Sequence, residues 1–210
     1  MTHIDKQHID YTLYLVTDRS VMSAKSLEQA VEQAIQGGCT VVQLREKNIT
    51  SREFFETAQR IKQITDFYHI PLIINDRTDI CLAVNAAGIH VGQQDLPAKV
   101  VRSIVGPDKI IGVSAATLSE AMQAEQDGAD YLGVGAMFAT STKTNTRPVT
   151  VEQLVQIKQA VQIPVVAIGG IQSSNAATLT KTGIDGIAST SADLLPYGNY
   201  RLEESKAPEG

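Results

Sequence analysis

Apolar residues recur along the chain in two rhythms. Short runs rich in β-branched residues occupy Leu13 to Thr17, Thr40 to Leu44, Pro71 to Asn75, Gly88 to Val91, Ile110 to Ser114, Tyr131 to Gly135, Pro164 to Gly169 and Gly186 to Ser189, and each reads as a strand. Between them lie Leu27 to Gln36, Arg52 to Phe67, Ala98 to Val105, Leu118 to Asp127, Val151 to Ala160 and Asn175 to Thr182, where apolar residues return at helical spacing and predict amphipathic helices. Gly37-Gly38, Gly128 and Gly183 stand where such helices must stop, because glycine enters the left-handed conformation at little steric cost. Runs such as VVQL, LIIN and VVAIG are apolar nearly throughout, the pattern of parallel strands covered on both faces.

Successive strand ends advance by about 25 residues, the length of one βα unit. Such units in this number predict an α/β fold, a single-domain (β/α)8 TIM barrel over residues 1–210; an open doubly wound sheet would also alternate, and the count favours the barrel. A barrel places functional side chains just after the strands, at their carboxyl ends. Two stretches fit less well. The unit between Asn75 and Gly88 has room only for a short helix, Asp79 to Asn85. In the tail, 193–210, Pro196 and Gly198 interrupt what should be the closing helix, so the eighth helix is expected to be short or irregular. The outer faces of the eighth and first strands are then expected to be partly bare, or covered by the polar amino-terminal extension 1–12 or by a second copy of the chain in a homo-oligomer.

Composition narrows the function. With 43% hydrophobic and 20% charged residues over 210 positions, the chain can bury a full core without disulfides. A net charge of -5 argues against a nucleic-acid partner, which would call for a basic face. Cys39 and Cys81 lack metal-ligand spacing and read as small buried apolar residues in a reducing compartment. The opening MTHIDKQHIDYT carries no secretory signal, and no run approaches the roughly 18 apolar residues of a membrane span. The expectation is a cytoplasmic protein with no membrane partner.

The strand ends carry the chemistry. After the second strand, Gln43 to Lys47 read QLREK, two cations and an amide suited to an anion or simply to a solvated loop. Asn75 and Asp76 end the third strand and Asp95 follows the fourth. Each acid could cap the helix after it, but two carboxylates beside two cations suit Mg²⁺ bridging to a polyphosphate. Ser114 ends the fifth strand, and a hydroxyl-rich loop with Lys143 at its centre follows the sixth, as expected of a solvated loop or a phosphate contact. Gly169-Gly170, Thr190 and Ser191 follow strands seven and eight, where barrels commonly build a backbone cup for a monophosphate. Two phosphate regions predict two phosphorylated substrates. Neither cysteine is placed as a nucleophile and His90 lies inside its strand, so covalent acyl chemistry lacks its parts.

Taken in order, YLVTDR, VVQLREK, LIINDR, GIHVGQQDLP, IIGVSAAT, GADYLGVGAMFATSTKT, PVVAIGGI and GIASTSA resemble the thiamine phosphate synthase family over about residues 13–192. The resemblance implies a transferase that joins 4-amino-2-methyl-5-hydroxymethylpyrimidine pyrophosphate to 4-methyl-5-(2-phosphoethyl)thiazole, giving thiamine monophosphate and pyrophosphate with Mg²⁺. It implies that Gln43, Leu44, Arg45, Glu46, Lys47 and Asn75 contact the pyrimidine pyrophosphate and that Asp76 and Asp95 hold Mg²⁺. Ser114 would lie by the pyrimidine and Lys143 by the pyrophosphate, so that Arg45, Lys47, Ser114 and Lys143 form the catalytic set. Thr140, Ser141 and Thr142 match the thiazole-phosphate loop, completed by Gly170, Thr190 and Ser191.

Some positions depart from that pattern. Ala136 and Ala139 stand where the family usually has prolines around the aromatic Phe138, which should loosen the loop, and Thr150 replaces a glycine before the sixth helix. Two other readings are a related thiazole tautomerase and a non-catalytic phosphate-binding barrel. The tautomerase uses a histidine after the fifth strand, where this chain has Ser114-Ala115-Ala116-Thr117.

Overall fold

The computed structural model describes residues 6–21, 24–139 and 147–190. Its strands are β1 (Leu13–Val16), β2 (Val41–Leu44), β3 (Leu72–Asn75), β4 (Gly88–Val91), β5 (Ile110–Ala115), β6 (Tyr131–Val134), β7 (Val165–Ile168) and β8 (Gly186–Ser189). They pair in chain order, all parallel, and β8 returns to β1 to close a barrel. The chain is thus a single-domain TIM barrel, and every strand boundary falls within one residue of its expected place. The runs that read as strands are buried along nearly their whole length, as a sheet with side chains inside and helices outside requires.

The helices are α1 (Leu27–Gln36), α2 (Ser51–Phe67), α3 (Thr78–Ala83), α4 (Ala98–Val105), α5 (Leu118–Gln126) and α6 (Val151–Ala160). Ser26, Thr50, Thr117 and Thr150 start four of them, each side chain accepting the backbone N–H three residues on, which satisfies a donor the helix itself cannot use. Thr150 and Gln153 complete a capping box, so the residue that departs from the family pattern serves as a helix start. Gly38, Gly128 and Gly183 hold φ of +100°, +87° and +74°, the left-handed stops expected of them. His69 and Asn85, with φ of +58° and +51°, do the same after α2 and α3 without glycine.

The seventh helix departs from expectation. Where Asn175 to Thr182 read as an amphipathic helix, only a 3-10 turn forms, Ala176–Leu179. Thr178, Thr180 and Thr182 each donate a hydroxyl hydrogen bond to the carbonyl three residues back, at 2.7, 2.9 and 2.6 Å. Side chains that bond the backbone in this way compete with the helical ladder.

Two apolar clusters flank the sheet. The larger joins the outward strand residues, such as Val42, Leu44, Leu72 and Ile74, to the helices. The smaller fills the barrel with Tyr14, Val16, Val41, Ile73, Ile110, Tyr131, Val166 and Ala188. From the described part of the amino-terminal segment, Tyr11 enters this inner cluster: it is buried, its ring centroid 4.8 Å from that of Tyr131. Gly186 makes room for it, because a Cβ there would lie 1.8 Å from the Tyr11 carbonyl oxygen. The tail 193–210 lies outside the described residues.

Candidate active site

The carboxyl ends of the strands open into a cavity of about 630 Å³. Strand alternation decides who lines it. Gln43, Arg45 and Lys47 face the cavity, whereas Leu44 is fully buried among the outward residues and Glu46 turns aside to pair with Arg19 at 2.7 Å. Successive side chains of an extended chain point to opposite faces, so the side chains of Leu44 and Glu46 turn away from the cavity and leave only their backbone near it. Asn75, Asp76, Asp95, Ser114, Gly170 and Thr190 line the same cavity. Thr140, Ser141, Thr142, Lys143 and Ser191 lie outside the described residues.

The loop after β1 secures the loop after β2. Thr17 N–H donates to the Gln43 carbonyl at 2.9 Å, Arg45 N–H donates to Thr17 Oγ1 at 2.9 Å, and the Arg45 guanidinium stands 3.7 Å from Asp18. Asp18 and Arg19 thus hold QLREK in place, a function that YLVTDR shows only once the neighbouring loop is known.

Neither strand-end acid caps a helix. The position before α3 is Arg77 and that before α4 is Pro97, both without a side-chain cap bond. Asp76 instead sits at φ +61°, a left-handed conformation that aspartate tolerates better than most residues. Its N–H donates to the His90 carbonyl at 2.9 Å and its carboxylate accepts from Lys47 Nζ. Asp95 accepts from Gly92 N–H at 2.7 Å. Burial pushes the Asp95 carboxyl above its ordinary value, the Gly92 N–H opposes this, and the neighbouring Asp76 carboxylate raises it further. The Asp76 carboxylate beside Asp95 disfavours the Asp95 charge, and two such oxygen donors with one lysine beside them suit a divalent cation.

The other side of the mouth is made of backbone. Gly169 and Gly170 hold φ of +100° and +63°, and a Cβ on Gly170 would lie 2.4 Å from the Ala139 carbonyl oxygen, so the turn needs glycine. Met137 and Phe138 N–H groups donate to the Ile168 and Gly169 carbonyls at 3.0 and 2.9 Å, drawing the loop after β6 against the loop after β7. Asn175 fixes the turn from behind, its amide nitrogen donating to Gly170 O and its amide oxygen accepting from Gln172 N–H, both at 2.9 Å. Ser189 and Thr190 line the cavity beside it.

Two residues that the sequence reading missed join the lining. Arg147 brings a third cation and donates to Glu120, which also accepts from Ala116 N–H at 2.8 Å; its only signal was a basic residue closing the hydroxyl-rich loop. His90, set aside as a strand residue, reaches the cavity from inside the barrel because its strand position points inward.

Comparison with known proteins shows the family. The family described as thiamine monophosphate synthase matches residues 13–192. A thiamine-phosphate synthase from Ruminiclostridium cellulolyticum is 62% identical over 187 residues, 89% of this chain and 89% of its own. One from Clostridium tetani is 58% identical over 188 residues, 90% of each. Among solved structures, a thiamine phosphate pyrophosphorylase from Pyrococcus furiosus superposes with a TM-score of 0.81 at 41% identity, covering 89% of this chain and 91% of its own.

Proposed function

Because the chain belongs to the thiamine monophosphate synthase family over residues 13–192, we propose that it is a transferase joining 4-amino-2-methyl-5-hydroxymethylpyrimidine pyrophosphate to 4-methyl-5-(2-phosphoethyl)thiazole, releasing pyrophosphate and thiamine monophosphate. The observation that carries this reading is the convergence of Lys47, Asp76 and Asp95, from three successive strand ends, on one wall of one cavity.

Arg45 and Lys47 stabilise negative charge as the pyrophosphate leaves, and Asp18 holds Arg45 toward that task. Asp76 and Asp95 fit Mg²⁺, since two hard oxygen donors leave positions for water and phosphate; when bound, the ion neutralises charge on the departing group. Displacing Lys47 from Asp76 would free its ammonium for the pyrophosphate. The Gly169-Gly170 turn receives the thiazole phosphate through backbone donors, which places the thiazole nitrogen to attack the pyrimidine methylene after the carbon–oxygen bond loosens. Proximity and fixed charge supply the rate, without a covalent enzyme intermediate.

Pyrophosphate release from purified protein, assayed with both substrates and with each alone, with and without Mg²⁺, tests the proposal. Release that needs both substrates and Mg²⁺ is expected. No release from the complete mixture, or release indifferent to the thiazole, would overturn it.

A further inference from the structure

Beneath the cavity the barrel interior is crossed by a continuous chain of polar side chains. Gln43 Nε2 donates to Tyr14 Oη at 3.0 Å. Tyr14 and Tyr131 hydroxyls lie 2.7 Å apart, Tyr131 Oη lies 2.9 Å from His90 Nδ1, and His90 Nε2 lies 2.9 Å from Ser114 Oγ. Gln43, His90 and Ser114 line the cavity while Tyr14 and Tyr131 lie behind it.

Room for the chain is built into the sheet. Gly112 sits in register between His90 and Tyr131, and a Cβ on it would lie 2.1 Å from Tyr131 Cζ. Gly133 sits beside Ser114, and a Cβ there would lie 3.0 Å from His90 Cε1. Two strand glycines, costly to sheet stability in themselves, thus reserve space for the phenol and the imidazole.

The orientation assigned to the Gln43 amide selects one of the two proton senses open to the chain. With Gln43 Nε2 donating, Tyr14 gives its proton to Tyr131, Tyr131 gives its own to His90 Nδ1, and His90 donates from Nε2 to Ser114 Oγ. Burial pushes both phenols well above their ordinary value, so each is a neutral O–H that must both give and accept. The Ser114 proton is left for the cavity at one end, and the Gln43 carbonyl oxygen at the other.

We infer that Tyr131 and Tyr14 are positioning residues that set the recognition sense of the cavity, making Ser114 a donor and Gln43 an acceptor toward the pyrimidine ring of the substrate. The inference rests on the function proposed above. A 4-aminopyrimidine offers an acceptor ring nitrogen next to a donor amino group, which such walls accept. Its 4-oxo counterpart exchanges the two and is rejected.

The test compares kcat/KM for the aminopyrimidine pyrophosphate with that for the 4-oxo analogue. Wild-type protein is expected to prefer the amino compound by about a hundredfold or more, as sites built on buried hydrogen bonds do. Tyr131→Phe should shrink that preference at least about tenfold and raise KM for the pyrimidine, with KM for the thiazole phosphate unchanged. Tyr14→Phe cuts the chain one link further off and should act in the same direction, deciding the matter should Tyr131→Phe fail to fold. ¹⁵N NMR of wild-type protein, with the His90 signals assigned by their loss in His90→Gln, should show the proton on Nε2. An unchanged preference in the folded variants, or the proton on Nδ1, would overturn the inference while leaving the synthase reading intact. A wild-type protein inactive on the amino compound would overturn both.

Discussion

Replacing Asp95 by asparagine separates the chemistry of the acid pair from its structural part. The amide keeps the size of the carboxyl and an oxygen to accept the Gly92 N–H, which now lies 2.7 Å from the carboxylate, so the loop after β4 should hold its course. Because burial and Asp76 already disfavour the Asp95 charge, its loss should leave stability unchanged or slightly higher, within about 0.5 kcal/mol. Turnover should behave differently. One unit charge about 4 Å from another, at an effective dielectric near 20, is worth about 4 kcal/mol, and loss of one preorganised charge partner typically costs about 3 kcal/mol of transition-state stabilisation, about a hundredfold in rate. Pyrophosphate release measured across a Mg²⁺ titration should show a rate at least about a hundredfold lower and a half-saturating Mg²⁺ concentration shifted upward, while urea melts of the two proteins coincide. An unaltered rate with unaltered Mg²⁺ dependence would refute the assignment of the pair.

The folded Asp95 carboxyl binds its proton more tightly than the unfolded one, so its contribution is full below about pH 4 and is lost as pH rises through the raised value; the rise in melting temperature on adding Mg²⁺ should therefore be larger at pH 7.5 than at pH 5. The Tyr11 hydroxyl is buried without a hydrogen-bond partner among the described residues, so Tyr11→Phe should hold or raise stability by up to about 1 kcal/mol in chemical denaturation, and a loss larger than that would reveal a partner. Gly112→Ala drives a methyl to 2.1 Å from the Tyr131 ring and should cost about 1–3 kcal/mol in the same melts, with the discrimination against the 4-oxo analogue falling alongside.

The strands were legible because parallel strands sealed on both faces write nearly uninterrupted apolar runs, as VVQL and LIIN do but for Gln43 and Asn75. The seventh helix was misread because apolar spacing says nothing about hydroxyls that bond backward, as Thr178, Thr180 and Thr182 do. At the mouth, Gln43, Lys47, Asp76 and Asp95 were legible as polar residues in or just after apolar strands, whereas the block QLREK does not itself show that alternation sends the side chains of Leu44 and Glu46 outward. The interior chain was not legible at all. Tyr14 and Tyr131 stand 117 positions apart, and only the closure of β8 onto β1 and the gap at Gly112 bring their hydroxyls together.

The two strand glycines also bear on how this barrel could be re-engineered for a different heterocycle. In barrels of this kind function varies with the loops at the rim, yet here the groups inferred to read the ring hang from a scaffold threaded through the centre of the sheet. A library confined to the rim would alter phosphate handling and leave the base preference standing. Shifting that preference calls for coordinated replacement at Gly112, Gly133, His90 and Tyr131, positions at which the volume added by one residue must be given up by its neighbour.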